Sequence, residues 1–306
     1  ENTPQLLMNI SGAAGTGKSF WLNTVRRYVK SKPELHKTFI KSAAPSGTAA
    51  FLIGGETLHG LLCLPVKGQF QPLSADRQAI MQLKFKHVGL LVIDEKSMIG
   101  QKQLFYVHKR LQEARPDTGN EPFGGLSIVL LGDWKQLPPV LDSPLYQDPS
   151  ELQGRTDAAR QKEREKNAES VGHQFKAQAY LLYRKFDKSI IFTKIQRQEG
   201  DDQAEFRSEL KRLGEGEFTV ADWNRWQCRT LDTLPDVEKA AFLKHGTLAC
   251  ARKIDMVDHN QSKVRELQQP IALIKAVNNP RRRETRRATR VDCQTTLSSA
   301  REQSLD

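Results

Sequence analysis

The sequence predicts an α/β fold, a parallel sheet with helices on both faces, on three observations. Strand-length apolar runs alternate with helical periodicity as far as residue 141. Two of the strands, "LLVIDE" and "IVLLGD", end in carboxylates. The first strand runs into a glycine-rich loop that opens a helix. Apolar strands with polar groups gathered at their carboxyl ends fit a sheet that binds its ligand along that edge.

The elements follow in order. "QLLMNIS" reads as a buried strand and "KSFWLNTVRRYVK" as a helix. "KTFIKSAA" is a second strand, "SADRQAIMQLKFK" a helix, "HVGLLVIDE" a strand, and "SMIGQKQLFYVHKRLQEA" a helix. "GGLSIVLLGD" is the next strand. Beyond it, "ELQGRTDAARQKEREKNAES" is charged and poor in large apolar residues, a solvated insert. "HQFKAQAYLLYRKF" and "DDQAEFRSELKRLGEGEF" read as helices, with "SIIFT" a strand between them. "TLACA" is a short strand, "RKIDMVDHNQSKVREL" a helix and "PIALIKAV" a further strand candidate. The expected domains are 1–149, a charged insert or linker at 150–172, a second region at 173–278, and a basic tail at 279–306.

Between the first strand and helix lies "SGAAGTGKSF". It fits G-x-x-x-x-G-K-[ST], with Gly12, Gly17, Lys18 and Ser19 fixed and Ala13, Ala14, Gly15 and Thr16 between them. Glycines let successive N–H groups turn inward onto phosphate oxygens. Lysine reaches the β- and γ-phosphates, and the serine hydroxyl ligates Mg²⁺. The helix N-terminus favours the anion. The bland alternative is a flexible turn, which the flanking strand and helix disfavour. About 75 residues later, Asp94 and Glu95 end a strand. Asp94 suits Mg²⁺ and Glu95 suits accepting a proton from attacking water. Gln136 lies in "LLGDWKQLPPV", where an amide at a strand end can donate to a phosphate and accept from water. Surface acids and an ordinary loop are the competing readings.

The net charge of +11 favours a polyanionic partner, nucleic acid first, although "NPRRRETRRATR" supplies part of it. No run approaches the ~20 apolar residues of a membrane helix. Cys63, Cys228, Cys250 and Cys293 are far apart, which suits reduced thiols and no zinc site. Oligomeric state is not legible.

The ordered set "GAAGTGKS", "APSGTAAFLIGGETLHGLL", "LLVIDEKSM", "PFGGLSIVLLGDWKQLPPV" and "SIIFTKIQRQ" resembles the PIF-type DNA helicases, RecD-like members of helicase superfamily one, with Helitron-encoded variants nearest. The resemblance implies a RecA-like P-loop domain followed by a partial second RecA-like domain. It implies ATP and Mg²⁺, 5′-to-3′ movement on single-stranded DNA, duplex unwinding, and a nuclear or mitochondrial setting. Gly12 to Ser19 would bind ATP, with Ser19 and Asp94 on the metal. Lys18, Glu95, Gln136 and Arg197 would be catalytic, Arg197 reaching the γ-phosphate from the second domain. Pro45, Ser46, Gly47, Thr48 and His59 would grip DNA. Trp134, Trp223 and Trp226 are candidates for base stacking, with core packing the commoner job.

The chain departs from that pattern in three places. Only residues 1–5 precede the first strand, where the family carries an adenine-reading glutamine. Two later motor motifs have no match. The expectation is therefore a piece of a longer helicase, able to bind nucleotide but not to unwind well. A different P-loop phosphotransferase and a non-catalytic nucleic-acid-binding remnant of a mobile element are the alternatives.

Overall fold

The computed structural model describes residues 4–66, 68–149, 172–270 and 272. They fall in two units, Glu1–Thr219 and Val220–Asp306.

The first unit is built on six strands: β1 (Leu7–Gly12), β2 (Ile40–Ala44), β3 (Glu56–Thr57), β4 (Leu90–Ile93), β5 (Ser127–Gly132) and β6 (Lys188–Phe192). They form one sheet in the order β3-β2-β4-β5-β1-β6, and every pair is parallel. Its helices are α1 (Lys18–Lys30), α2 (Gly47–Leu52), α3 (Leu58–Leu61), α4 (Ala75–Phe85), α5 (Gln101–Ala114), α6 (Gly172–Tyr183) and α7 (Ala204–Glu215). Side chains alternate across each strand, so each strand feeds two cores. Ile10, Val92, Val129 and Leu131 pack with Leu22 of α1 on one face. Leu7, Leu91, Ile93, Ile128 and Leu130 pack with Leu104, Val107 and Leu111 of α5 on the other. That is the predicted α/β arrangement, helices on both faces of a parallel sheet. The register sets the carboxyl ends level: Ser11 lies opposite Gly132, and Ile93 opposite Leu130 and Ala43.

Several expectations need adjustment. "SIIFT" was grouped with the second region, yet β6 pairs with β1 along Met8 to Gly12. Its backbone groups find partners on the exposed edge of the first sheet. "TLACA" forms no strand; the segment is irregular between two helices. A strand needs a neighbour to hydrogen-bond, and none exists among the described residues of that unit. Those residues instead form α8 (Val220–Gln227), α9 (Asp236–His245) and α10 (Lys253–Glu266). The first two helices were not anticipated. A sheet-bearing second motor domain is therefore not seen among the described residues. All but the last residue of the charged insert at 150–172, most of "PIALIKAV" and the basic tail with Cys293 lie outside the described residues.

Candidate functional site

The glycine-rich loop joins β1 to α1 at the carboxyl edge of the sheet. Gly15 and Gly17 have φ of 81° and 94°, the left-handed region that favours glycine. A Cβ on Gly12 would lie 2.5 Å from Thr16 Oγ1, so the loop closes on itself only with glycine there. The Thr16 hydroxyl donates to the Ala13 carbonyl at 2.9 Å, bracing the turn. No side chain caps α1, and its first turn has no acidic residue. The helix N-terminus thus keeps its donors and dipole for an anion.

Lys18 Nζ donates to Gly12 O at 2.6 Å and to Ala13 O at 3.0 Å. Burial holds its pKa below the usual lysine value, while Asp133, Asp94 and Glu95 pull it upward and Arg197 pushes it down. The predicted lysine, both predicted acids and the predicted arginine therefore share one electrostatic neighbourhood. Ser19 is exposed in the first turn of α1.

Asp94 is buried at the end of β4, where its N–H donates to Ala43 O at 2.9 Å. Its Oδ1 accepts the Glu95 N–H at 2.9 Å. Glu95 has φ 54° and ψ 46°. That conformation costs a non-glycine residue on the order of 1–3 kcal/mol and persists only where the surroundings impose it. Burial, Asp94 and Asp133 raise the Glu95 pKa, and Lys18 opposes them. A raised carboxyl pKa suits a proton acceptor.

The geometry adds a residue that the sequence reading passed over. Lys96 is fully buried. Its Nζ donates to Ser11 Oγ at 2.6 Å and sits 4.8 Å from the centre of the Trp134 ring. Burial lowers its pKa to about 8, although Asp133 pulls the other way. Gly132, at φ 150°, makes room for it: a Cβ there would lie 2.8 Å from Lys96 N. Lys96 thus joins the strand before the phosphate loop, the acidic pair and the loop after β5. A lysine behind two acids reads as a solvated surface charge, so the sequence carries no signal for this role.

The loop after β5 is held by Asp133, which accepts the Lys135 N–H at 3.0 Å on Oδ1 and the Gln136 N–H at 3.1 Å on its carbonyl. The Gln136 side chain is exposed. Trp134 packs edge-on against Tyr146 and Tyr183, ring centres 5.3 and 6.0 Å apart, which is a packing role. Arg197 is exposed, and its N–H donates to Gly15 O at 3.2 Å. It follows β6 in the first unit, so it approaches the phosphate loop from that unit and not from a second motor domain.

The expected DNA-gripping residues cluster around α2 and α3. Ser46 Oγ accepts the Ala49 N–H at 3.2 Å, capping α2. Gly47 and Thr48 are exposed on its first turn, beside half-buried Pro45. Thr57 Oγ1 caps α3 by accepting the Gly60 N–H at 3.1 Å, and half-buried His59 lies on that turn. Trp223 is largely exposed and Trp226 half-buried, both on α8.

A hydroxyl and carboxylates at the loop are hard oxygen donors, the kind magnesium takes together with phosphates and water. Among the described residues no cluster of three or more His, Cys, Asp or Glu could hold a metal alone. The donor set fits a metal that arrives with its nucleotide.

Residues 1–151 match the family of PIF1-like helicases. That match takes in just under half of the chain. The chain is 31% identical over 134 residues to an ATP-dependent DNA helicase Pif1 of Psychrobacter, an overlap of 43% of this chain and 19% of that protein. It is 34% identical over 135 residues to the ATP-dependent DNA helicase RRM3 of Saccharomyces cerevisiae, 42% of this chain and 18% of that protein. The crystal structure of a Bacteroides Pif1 bound to single-stranded DNA superposes with a TM-score of 0.52 at 25% identity, covering 84% of this chain and 52% of that one. The chain therefore spans about half of that solved relative and under a fifth of these two curated ones.

Proposed function

We propose that this chain carries the ATP-binding motor domain of a PIF1-type DNA helicase, which couples ATP hydrolysis to 5′-to-3′ movement on single-stranded DNA and to unwinding of duplex. The single observation that carries the reading is the convergence of Lys18, Asp94, Glu95, Asp133 and Arg197 on one loop at the sheet's carboxyl edge.

In this reading the N–H groups of Gly12 to Ser19 cradle the phosphates, and Lys18 leaves the Gly12 and Ala13 carbonyls to neutralise them. Ser19 and Asp94 would hold Mg²⁺, which when bound would offset phosphate charge. Glu95 orients the attacking water and takes its proton. Gln136 reports the γ-phosphate to the loop after β5. Arg197, anchored on Gly15 through its backbone, stabilises charge in the transition state. Pro45 to Thr48 and His59 hold the DNA strand. The setting is intracellular, nucleus or mitochondrion. No helix among the described residues is long and apolar enough to cross a membrane.

The test is steady-state ATP hydrolysis by the 306-residue chain with and without a thymidine oligomer. Stimulation by the oligomer, abolished by Lys18→Ala, is the expected result. Equal turnover with and without DNA removes the motor reading, and full activity of Lys18→Ala removes the phosphate-loop assignment. Transfer of the γ-phosphate to a small acceptor would make the chain a phosphotransferase instead.

A further inference from the structure

A groove of about 350 Å³ lies between α1 and the outer edge of β2, away from the phosphate loop. Arg26 and Lys30 line it from α1, Lys37 from the following loop, and Lys41 and Ser42 from β2. The floor is made by Gly54 and Gly55. A Cβ on Gly55 would lie 2.4 Å from Ser42 O, so only glycine lets this loop press onto β2.

Four features set the groove apart from an ordinary solvated basic face. First, its charge is largely uncompensated: among the described residues four cations, Arg26, Lys30, Lys37 and Lys41, line it with one acid, Glu56, which Lys41 at 3.9 Å shares with Lys84 at 3.0 Å. Second, Arg26 is fixed: it donates to the Ile53 carbonyl and, at 3.4 Å, to Gly54 O, which holds its guanidinium half-buried at the wall. Third, Ser42 is only 6% exposed, and its Oγ has no hydrogen-bond partner among the described residues. Buried hydroxyls normally find one. Fourth, β3 covers β2 only at Ala43 and Ala44, so the outer edge of Ile40 to Ser42 has no strand beside it. An open edge presents unpaired backbone groups.

Cations and a free strand edge, with an unpartnered serine hydroxyl buried beside them, suit a ligand rich in anionic acceptor oxygens. Among the described residues no aromatic side chain lines the groove. A base would find nothing to stack on, so the recognised group is the backbone. Ser42 also lies three residues before Pro45, on the strand that leads into the expected DNA-gripping turn. We infer that this groove is a second phosphodiester-binding site, which takes the sugar–phosphate backbone of a single strand beyond the gripping turn. The inference rests on the DNA-motor reading for its ligand. It gives the first unit a sequence-independent contact outside the carboxyl edge of the sheet.

The test uses fluorescence anisotropy of a labelled thymidine oligomer with the full 306-residue chain over a salt series, without nucleotide. Lys30 and Lys37 are exposed, so Lys30→Gln with Lys37→Gln leaves the fold intact. For single strands the log–log salt slope changes by roughly 0.7 per contact, so the double variant should show a slope shallower by about 1.4. At low salt its affinity should fall about tenfold. Lys185→Gln with Lys188→Gln, the same charge removed elsewhere, should change both quantities less.

An unchanged slope in the Lys30/Lys37 variant, with DNA-stimulated hydrolysis intact, overturns the groove alone. Equal effects of the two double variants reduce it to general charge and overturn it too. Pyrophosphate binding lost in the Lys30/Lys37 variant, with strand affinity unchanged, would assign the groove to a small phosphate ligand and overturn the strand assignment. No strand binding by the unaltered chain would overturn this inference and the motor reading together.

Discussion

Helix α1 of the first unit and helices α9 and α10 of the second are held by different means. In the first unit, α1 has no side-chain cap and no acid in its first turn, and the helix is fixed by packing through Leu22, which is 1% exposed. In the second unit, α9 carries Asp236 and Glu238 in its first turn and Lys244 and His245 in its last. α10 adds the Arg252–Asp255 pair at 2.7 Å and the Lys263–Glu266 pair at 2.8 Å. Each such local contact is worth only a few tenths of a kcal/mol. No hydrophobic side chain is buried among the described residues of the second unit, whereas Leu91, Val92 and Ile93 of β4 are fully buried. A helix held by packing can leave its N-terminus bare for a ligand. A helix held by its own end charges cannot. The difference marks where chemistry is possible.

The sharpest way to break this comparison is at the acidic pair. Glu95→Gln should lower ATP turnover about a thousandfold if the carboxylate is the proton acceptor. Nucleotide affinity, read with a fluorescent ATP analogue, should be retained. A variant with near-normal turnover would leave the strained backbone at Glu95 without a catalytic purpose.

The next test compares the two units directly. Leu91→Ala removes a fully buried side chain from β4 and should cost about 2–5 kcal/mol in urea unfolding. Val257→Ala on α10, 38% exposed, should stay within about 0.5 kcal/mol. Similar losses at both positions would mean that the second unit has a core of its own.

Lys96 offers a smaller but more specific effect. Lys96→Met keeps the length of the stem and removes the ammonium from Ser11 and Trp134. Turnover should fall about tenfold, while stability moves by less than about 1 kcal/mol, because donor and desolvation cost leave together. A large loss of stability with unchanged turnover per folded molecule would make Lys96 a structural residue only.

The smallest effect concerns acid sensitivity. His108 accepts the Phe123 N–H at 2.9 Å on Nδ1, and burial lowers its pKa from 6.5 to about 4. The unfolded chain therefore binds the extra proton first. The stability tied to neutral His108 is fully present above pH 6.5 and is lost as pH falls towards 4. In thermal melts, His108→Asn should flatten that part of the pH dependence, since an amide oxygen can accept the same N–H without titrating. An identical pH profile in the variant would exclude His108 as the source.

Much of the first unit was legible because each strand is a short apolar run bounded by polar residues, and each helix repeats its apolar positions. α1 spans the quoted segment from Lys18 to Lys30. The glycine-rich loop between β1 and α1 and the place of the acidic pair after β4 were legible because a fixed backbone shape demands fixed residue types. Lys96 and the groove beside β2 were not. Arg26, Lys41 and Ser42 are ordinary surface types in sequence, and only the closeness of Gly55 to β2 brings them to one wall. β6 and Arg197 were legible as a strand and a motif, but not as parts of the first unit. "TLACA" misled because a β-compatible run becomes a strand only beside another strand.

By itself the sequence determined the alternation of strand and helix, the glycine-rich loop between β1 and α1, and the acids at the end of β4. All of these follow from local periodicity and from the narrow backbone geometry that glycine permits. Tertiary structure decided which edge β6 joins, from which side Arg197 meets Gly15, and that Lys96 is buried against Trp134. Those outcomes depend on hydrogen-bond partners and close packing between residues far apart in the chain, which no local pattern encodes.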